Sequence, residues 1–394
     1  MDVDVIVVGA GIAGLSVAEV MLNRGMKVCV VEAKHAGYGA TGRSAGIATV
    51  QMNDLLDVRL AKEGIDILNG WRRRYNLDGI LSTIGLLSID RQESIMNYAR
   101  LFSESGVAYE VMDAREAMDR WPWLRLNTTV DAEECIYTKD DICMDPLVFA
   151  RAFADRLKDM GVEFVSGRAD IPSIRMDEEH IVLRSGYDHD DLVADNLVLC
   201  TGAWTKGIGP KGYAYTTILK VPLIFFRYNI EEEEGHIIPF ADEINHTYWI
   251  PSRAGMLVGA DYSSWSIDGA DDALGEEFRI EQVSDDADGD DDDELLMYIK
   301  QLRKLLVKRI SFDVYESKVH FGPINITPDG RPIVGRVPGF KNLYILDGLR
   351  GYGLARAPAL AYILAEHIID GTDIAGELEP TRFARDARPL RHSK

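Results

Sequence analysis

Apolar residues run along this chain in two rhythms, and the switches between them outline its elements. Val5–Val8 and Val28–Val31 are unbroken apolar runs, the pattern of strands covered on both faces. Further strands are predicted at Val162–Val165 and Asn342–Leu346, with Ile181–Arg184 and Leu192–Cys200 in a small meander. Elsewhere the apolar spacing opens to that of a helix, over Leu15–Arg24, Leu55–Tyr75 (Leu56, Leu60, Ile65, Leu68), Glu93–Ser105, Leu147–Met160 and Ala357–Asp370 with Pro358 in its first turn. Asp145-Pro146 supplies an N-cap and a first-turn proline, Gly161 a stop, and Pro122 ends a short helix over Ala114–Trp121. Gly79–Ile89 reads as one strand.

Between residues 211 and 317 the character changes. Short strand runs (Val221–Tyr228, Thr247–Pro251, Met256–Ala260) precede an acidic stretch and a helix over Glu294–Arg309. The pattern predicts a nucleotide-binding α/β domain over 1–46, 140–210 and 318–394. A mainly antiparallel α+β substrate domain over 47–139 and 211–317 is inserted into it.

The first two strands flank Gly9-Ala10-Gly11-Ile12-Ala13-Gly14, and the second ends in Glu32. Strand, glycine turn, helix, strand and acid form a complete dinucleotide-binding unit. Gly9 suits the tight turn, Gly11 lets backbone approach a pyrophosphate, and Gly14 lets helix and strand pack closely. The helix N-terminus faces the phosphates with its positive end. Glu32 is placed to accept from ribose hydroxyls, and its charge argues against a 2′-phosphate. A second glycine-rich stretch, Gly37–Gly46, offers Thr41, Arg43 and Ser44 as donors.

The 394 residues carry a net charge of −21, which argues against nucleic acid and anionic membrane as main partners. Acid clusters at Glu231–Glu234 and Asp285–Glu294 read as solvated loops. Cys29, Cys135, Cys143 and Cys200 form no CxxC pair, so no metal centre is expected. No apolar run approaches the length of a membrane span and no signal peptide is evident, so the expectation is cytoplasmic, with the inner membrane face as a docking alternative.

These segments together resemble the FAD-dependent amino acid oxidase family, over nearly the whole chain. Gly39–Gly46 is similar to its second FAD loop, Tyr137–Asp141 with Met144-Asp145-Pro146 to its mid-chain signature, and Val198–Trp204 to its strand and loop at the cofactor. Thr327–Gly335 and Gly348–Gly353 resemble its C-terminal flavin signature. The early segments are most similar to the sarcosine oxidase β-subunit and proline dehydrogenase branch. The resemblance implies FAD held by Gly9, Gly11, Ile12, Ala13, Gly14, Glu32, Ala33, Ala40, Thr41, Gly42, Arg43, Ser44, Ala45, Gly46, Ala169, Thr201, Gly202, Trp204, Gly348, Leu349, Arg350, Gly351, Tyr352, Gly353 and Leu354. Arg43 stands where some relatives carry an attachment His, and His320–Ile326 lacks the attachment Cys of others, so non-covalent FAD is expected; His35 and His320 are the alternatives.

The activity implied is oxidation of the C–N bond of a small amino acid or secondary amine, proline- or sarcosine-like, by hydride transfer to flavin N5. A 2-hydroxy acid dehydrogenase and a flavin subunit of a hetero-oligomer are the alternatives. Some relatives clamp the substrate carboxylate with an arginine where this chain has Ile324. Candidates to replace it are Arg350, Arg356, Tyr248, Tyr352 and His320. Three of them have a structural counterpart reading: an Arg350–Asp347 ion pair, an exposed first-turn Arg356, a packed strand aromatic at Tyr248. Electron acceptor and oligomeric state stay open.

Overall fold

A computed structural model describes residues 2–129, 132–167, 174–176, 181–183, 191–205, 216–228, 237–252, 255–260, 265–267, 281–283 and 294–384. Its first sheet has parallel neighbours in the order Glu163–Ser166, Val28–Glu32, Asp2–Val8, Leu192–Leu199, Leu343–Asp347. Ile333–Arg336 closes one edge antiparallel, and the hairpin Ile174–Met176/Ile181–Leu183 extends the first half of Leu192–Leu199. The unbroken apolar runs are explained by alternation. Val5 and Val7 point into the core under the helices, while Ile6 and Val8 join Cys29, Val31, Leu197 and Leu199 on the opposite face.

The first helix spans Ile12–Asn23, three residues earlier than Leu15. The glycine turn ends at Gly11, so Gly14 lies inside the helix, where a Cβ would overlap the Gly9 carbonyl oxygen. The C-terminal helix likewise begins early, at Gly353. Pro358 therefore sits beyond the first turn, inside the helix. Gly64 of the helix Leu55–Arg74 approaches this helix so closely that a Cβ would overlap the Ala355 carbonyl.

Among the described residues, the second sheet has ten strands. Its pairs are antiparallel except for Phe240–Asp242 beside Leu86–Asp90. Ile224, Phe226, Trp249 and Val258 point to a core shared with Trp123, Leu302 and Leu306. Two strands here, Glu110–Asp113 and Glu134–Thr138, carry no clear alternation in sequence. The longest, Val314–Ile326, was not expected at all. It pairs along Thr217–Tyr228 and crosses the 317/318 boundary, so the antiparallel unit extends to Ile326. The expected single strand Gly79–Ile89 is two, Leu81–Thr83 and Leu86–Asp90, in different sheets. They part at Gly85 (φ +75°), where a Cβ would sit 2.5 Å from the Tyr137 ring. Beneath this sheet lies a buried ionic cluster. Arg309 donates to both oxygens of Asp242, at 2.6 and 3.0 Å, and to Glu133 at 2.7 Å.

Candidate functional site

A cavity of about 870 Å³ runs from the carboxyl end of the first sheet to the exposed face of the second. One end is made by backbone. Gly9 (φ +102°) is so close to the Cys200 carbonyl that a Cβ would lie 2.5 Å from its oxygen. At Gly11 a Cβ would meet only Thr41 Oγ1, at 3.2 Å, so a side chain there would occupy the cavity. The amide of Ile12 donates to Thr41 Oγ1 at 3.0 Å. Glu32 accepts from the amides of Ala10 and Lys34, at 2.8 Å each, which fixes its carboxylate at the cavity wall.

Ile12, Ala13, Ala33, Ala40, Thr41, Arg43, Ser44, Ala45, Gly46, Thr201, Gly202, Trp204, Leu349, Arg350, Gly351, Tyr352, Gly353 and Leu354 also line it. Gly14, Gly42 and Gly348 do not; a Cβ at each would strike neighbouring protein, so they serve packing. Ala169 lies outside the described residues. Arg43 is buried with its guanidinium 4.6 Å from the Tyr38 ring centroid, and burial pulls its pKa down. An open glycine cradle at a helix N-terminus, an acid at the strand end and a cavity of this size fit a dinucleotide of FAD's shape.

The other end is made by side chains. Leu219, Val221 and Leu223 point into the cavity from one strand, and Ile324 faces Leu219 from the next. Gly322, opposite Val221, leaves room for Arg43 Cβ at 3.3 Å. Tyr248 lines the cavity too. Its ring lies flat across its cross-strand partner Gly259, where a Cβ would overlap the hydroxyl end. Glu243 and His246 (φ +52°) sit in the turn before it. Tyr98, Asn53, Gln51 and Thr49 complete this side.

Three candidate cations are placed elsewhere than expected. Arg356 is fully buried and does not line the cavity; it donates to Asp57 at 2.5 Å and to the Leu349 carbonyl at 2.7 Å. It is neither a clamp nor an exposed first-turn residue. His320 shares the face of Leu223, but its Nε2 meets the Arg43 carbonyl at 3.3 Å, and burial holds its pKa down. Arg350 has backbone in the Gly348–Gly353 loop (φ +54°), yet its guanidinium packs on Gly330, whose turn does not line the cavity. Asp347 is bonded instead by Asn325, at 2.5 Å. Burial pushes the Asp347 carboxyl up to about 6.

Sequence reasoning missed Tyr38, Thr49, Gln51, Asn53, Tyr98, Glu243, His246, Asn325 and Asp347 as lining residues. The alternation Leu219, Val221, Leu223 was readable as one strand face. Tyr98, on the helix Gln92–Ser105, carries no local signal.

A family model described as FAD dependent oxidoreductase (DAO) matches residues 4–367. The chain belongs to this family. Its cofactor is accordingly FAD, and it is an oxidoreductase. Its relatives include 4-methylaminobutanoate oxidase (formaldehyde-forming) of Paenarthrobacter nicotinovorans, 24% identical over 93% of this chain and 44% of that protein. The chain therefore spans less than half of that relative. Glycine oxidase of Bacillus licheniformis is 22% identical over 93% of each chain. The fold matches that of L-proline dehydrogenase from P. horikoshii with a TM-score of 0.75 at 20% identity, covering 97% of this chain and 98% of that one. Among the described residues, no helix is long and apolar enough to cross a membrane, and no His/Cys/Asp/Glu group could hold a metal.

Proposed function

We propose that this oxidoreductase oxidises the C–N bond of a small amine or amino acid, proline- or sarcosine-like in size. The observation that carries the reading is the single cavity shared by the glycine cradle and the face of the second sheet. The named relatives act on substrates of that class, which supports it. FAD, when bound, supplies the hydride acceptor at its N5 position. The protein's part is binding, orientation and exclusion of water.

We assign the pyrophosphate to Gly9–Ala13, Thr41 and Ser44, the ribose to Glu32, and the flavin ring to Gly46 and Leu349–Leu354. Arg43 and the absence of a Cys in His320–Ile326 support non-covalent attachment. The cofactor part comprises 1–46, 140–210 and the chain after Ile326; the substrate part is the remainder. Leu219, Val221 and Ile324 present hydrocarbon to the substrate, and Tyr248 and Tyr352 present hydroxyls. With Arg350, Arg356 and His320 directed elsewhere, the hydroxyl of Tyr248, held by Gly259, is the group we place on a substrate carboxylate.

The test is anaerobic addition of sarcosine, L-proline, pyrrolidine, N-methylbutylamine and L-lactate to the FAD-loaded protein. Bleaching of the flavin by one or more amines is expected, and bleaching by L-lactate alone would replace the reading with hydroxy acid oxidation. Purified protein that no compound bleaches would favour a subunit needing its partners.

A further inference from the structure

We propose that Arg356 and Asp57 are positioning residues that set the reduction potential of the bound flavin from behind the loop Leu349–Tyr352; this rests on the placement of the flavin ring above. Neither side chain lines the cavity. Arg356 is fully buried and is the fourth residue of the helix Gly353–Asp370. Side chains on a helix lean toward its N-terminus, so this guanidinium reaches back past the first turn to the loop. Nη2 donates to the Leu349 carbonyl at 2.7 Å, and the Tyr352 amide donates to the same oxygen at 3.1 Å. That carbonyl is thereby taken up inside the protein. The guanidinium also lies 5.4 Å from the Tyr352 ring centroid. Leu349, Tyr352, Leu354 and Ala355 all line the cavity. The cation therefore stands one residue behind the wall.

A cation here is unfavourable for the fold itself. It opposes the positive end of its own helix. Its Nε is buried without an acceptor, which carries a desolvation cost. A well-packed apolar pair of similar volume is often as stable as a buried ion pair or more so, so stability alone is a weak reason for this one. Asp57 balances the charge. Arg356 Nη1 donates to its Oδ1 at 2.5 Å. Asp57 is itself fixed in the first turn of the helix Leu55–Arg74, where its amide donates to the N-cap Asp54 at 3.0 Å. Arg350, in the same loop, is exposed, so water and salt screen it. Arg356 lies out of water, where a charge acts over a longer range. Hydride transfer brings two electrons and one proton to the flavin, so a net negative charge arrives at this wall. Arg356 favours that charge and Asp57 opposes it, and the potential follows from their balance.

The experiment reduces FAD-loaded protein anaerobically with dithionite beside a reference dye of known potential, so it needs no substrate. It reads the ratio of reduced to oxidised flavin at a fixed dye potential. Arg356→Gln keeps an N–H donor for the Leu349 carbonyl and removes the charge; the ratio should fall at least about threefold. Asp57→Asn keeps the shape and removes the opposite charge; the ratio should rise by a similar factor. Arg356→Lys keeps the charge and should stay near the parent. Opposite shifts are the signature, since mere loosening of the loop would move both variants the same way. Two shifts of one sign, or none, overturn the inference. Each variant carries its own sign, so if one fails to fold the other decides. The ring placement is checked separately with Gly353→Ala, whose methyl would meet Ile12 and Leu349 at 3.5 and 3.6 Å. It should shift the flavin absorption bands. Unchanged bands would overturn the placement and the inference with it, whereas shifted bands beside unchanged potentials overturn the inference alone.

Discussion

The two ends of the cavity are built from different materials. The end at the glycine cradle, where we place the cofactor, is mostly backbone: glycines, amides and a helix terminus, drawn chiefly from residues 9–46. The end at the second sheet, where we place the substrate, is mostly side chains, contributed by strands and helices from residue 49 to residue 326. A backbone-built site admits few substitutions, because the ligand occupies the space a Cβ would need. A side-chain-built site can change specificity one residue at a time while its sheet stays intact.

The sharpest way to break this contrast is Gly11→Val. The branched side chain enters the cavity rather than the protein, so the variant should fold and yet stay colourless after incubation with FAD. Circular dichroism checks the fold and flavin absorbance the binding; a yellow variant would mean that the nucleotide lies elsewhere. At the other end, Arg309→Met leaves Asp242 and Glu133 buried without their cation. It should cost about 3–5 kcal/mol, the scale of a broken buried ion pair. Denaturant titration of the apoprotein measures it, and a loss under ~1 kcal/mol would show that the cluster is not holding the turn before Tyr248.

Glu32→Ala tests the single side chain on which the backbone-built end relies. FAD affinity should fall by roughly 1–3 kcal/mol, the worth of hydrogen bonds to a charged group, read by titrating apoprotein with FAD. A further effect comes from pH. Burial pushes Asp141 up to about 7, from an ordinary value of ~3.9. The folded state thus holds a proton that the unfolded state has released. Stability from this group is full below pH ~4 and is lost as pH rises toward about 7. The parent should lose more stability than Asp141→Asn between about pH 4 and about pH 8, and parallel curves would refute the assignment. Arg350→Ala should change least. With the guanidinium on Gly330, KM should stay within about twofold; a large rise would return Arg350 to the substrate.

The glycine cradle was legible because its information is local. Gly9, Gly11, Gly14 and Glu32 announce a strand, turn, helix and strand by their spacing, and the structure has those elements there. The substrate end was not, because its residues meet only after the second sheet forms. Arg350 and Arg356 were read from their nearness to the Gly348–Gly353 loop. However, nearness in sequence does not fix where a long side chain goes: one turned to Asp57 and the other to Gly330. Val314–Ile326 escaped notice because His320, Gly322 and Pro323 interrupt its apolar pattern, and each is accommodated by its neighbours in the sheet. Gln51 carried no signal as a lining residue, since the partners that hold its side chain, the Leu86 carbonyl and Thr138, come from far along the chain.

The order of strands in the first sheet has a consequence for how the protein is made. Asp2–Val8 receives its second neighbour only from Leu192–Leu199, and that strand is completed by Leu343–Asp347. A ribosome adding ~5–20 residues per second needs roughly 10–40 s to go from the first strand to its partner. Throughout that interval the nascent chain presents an unpaired strand edge whose last four residues, Val5–Val8, are all apolar, the kind that invites pairing with other chains. Synthesis of this protein therefore has a vulnerable period set by topology, and shielding by chaperones should matter more for its yield than the stability of the finished fold.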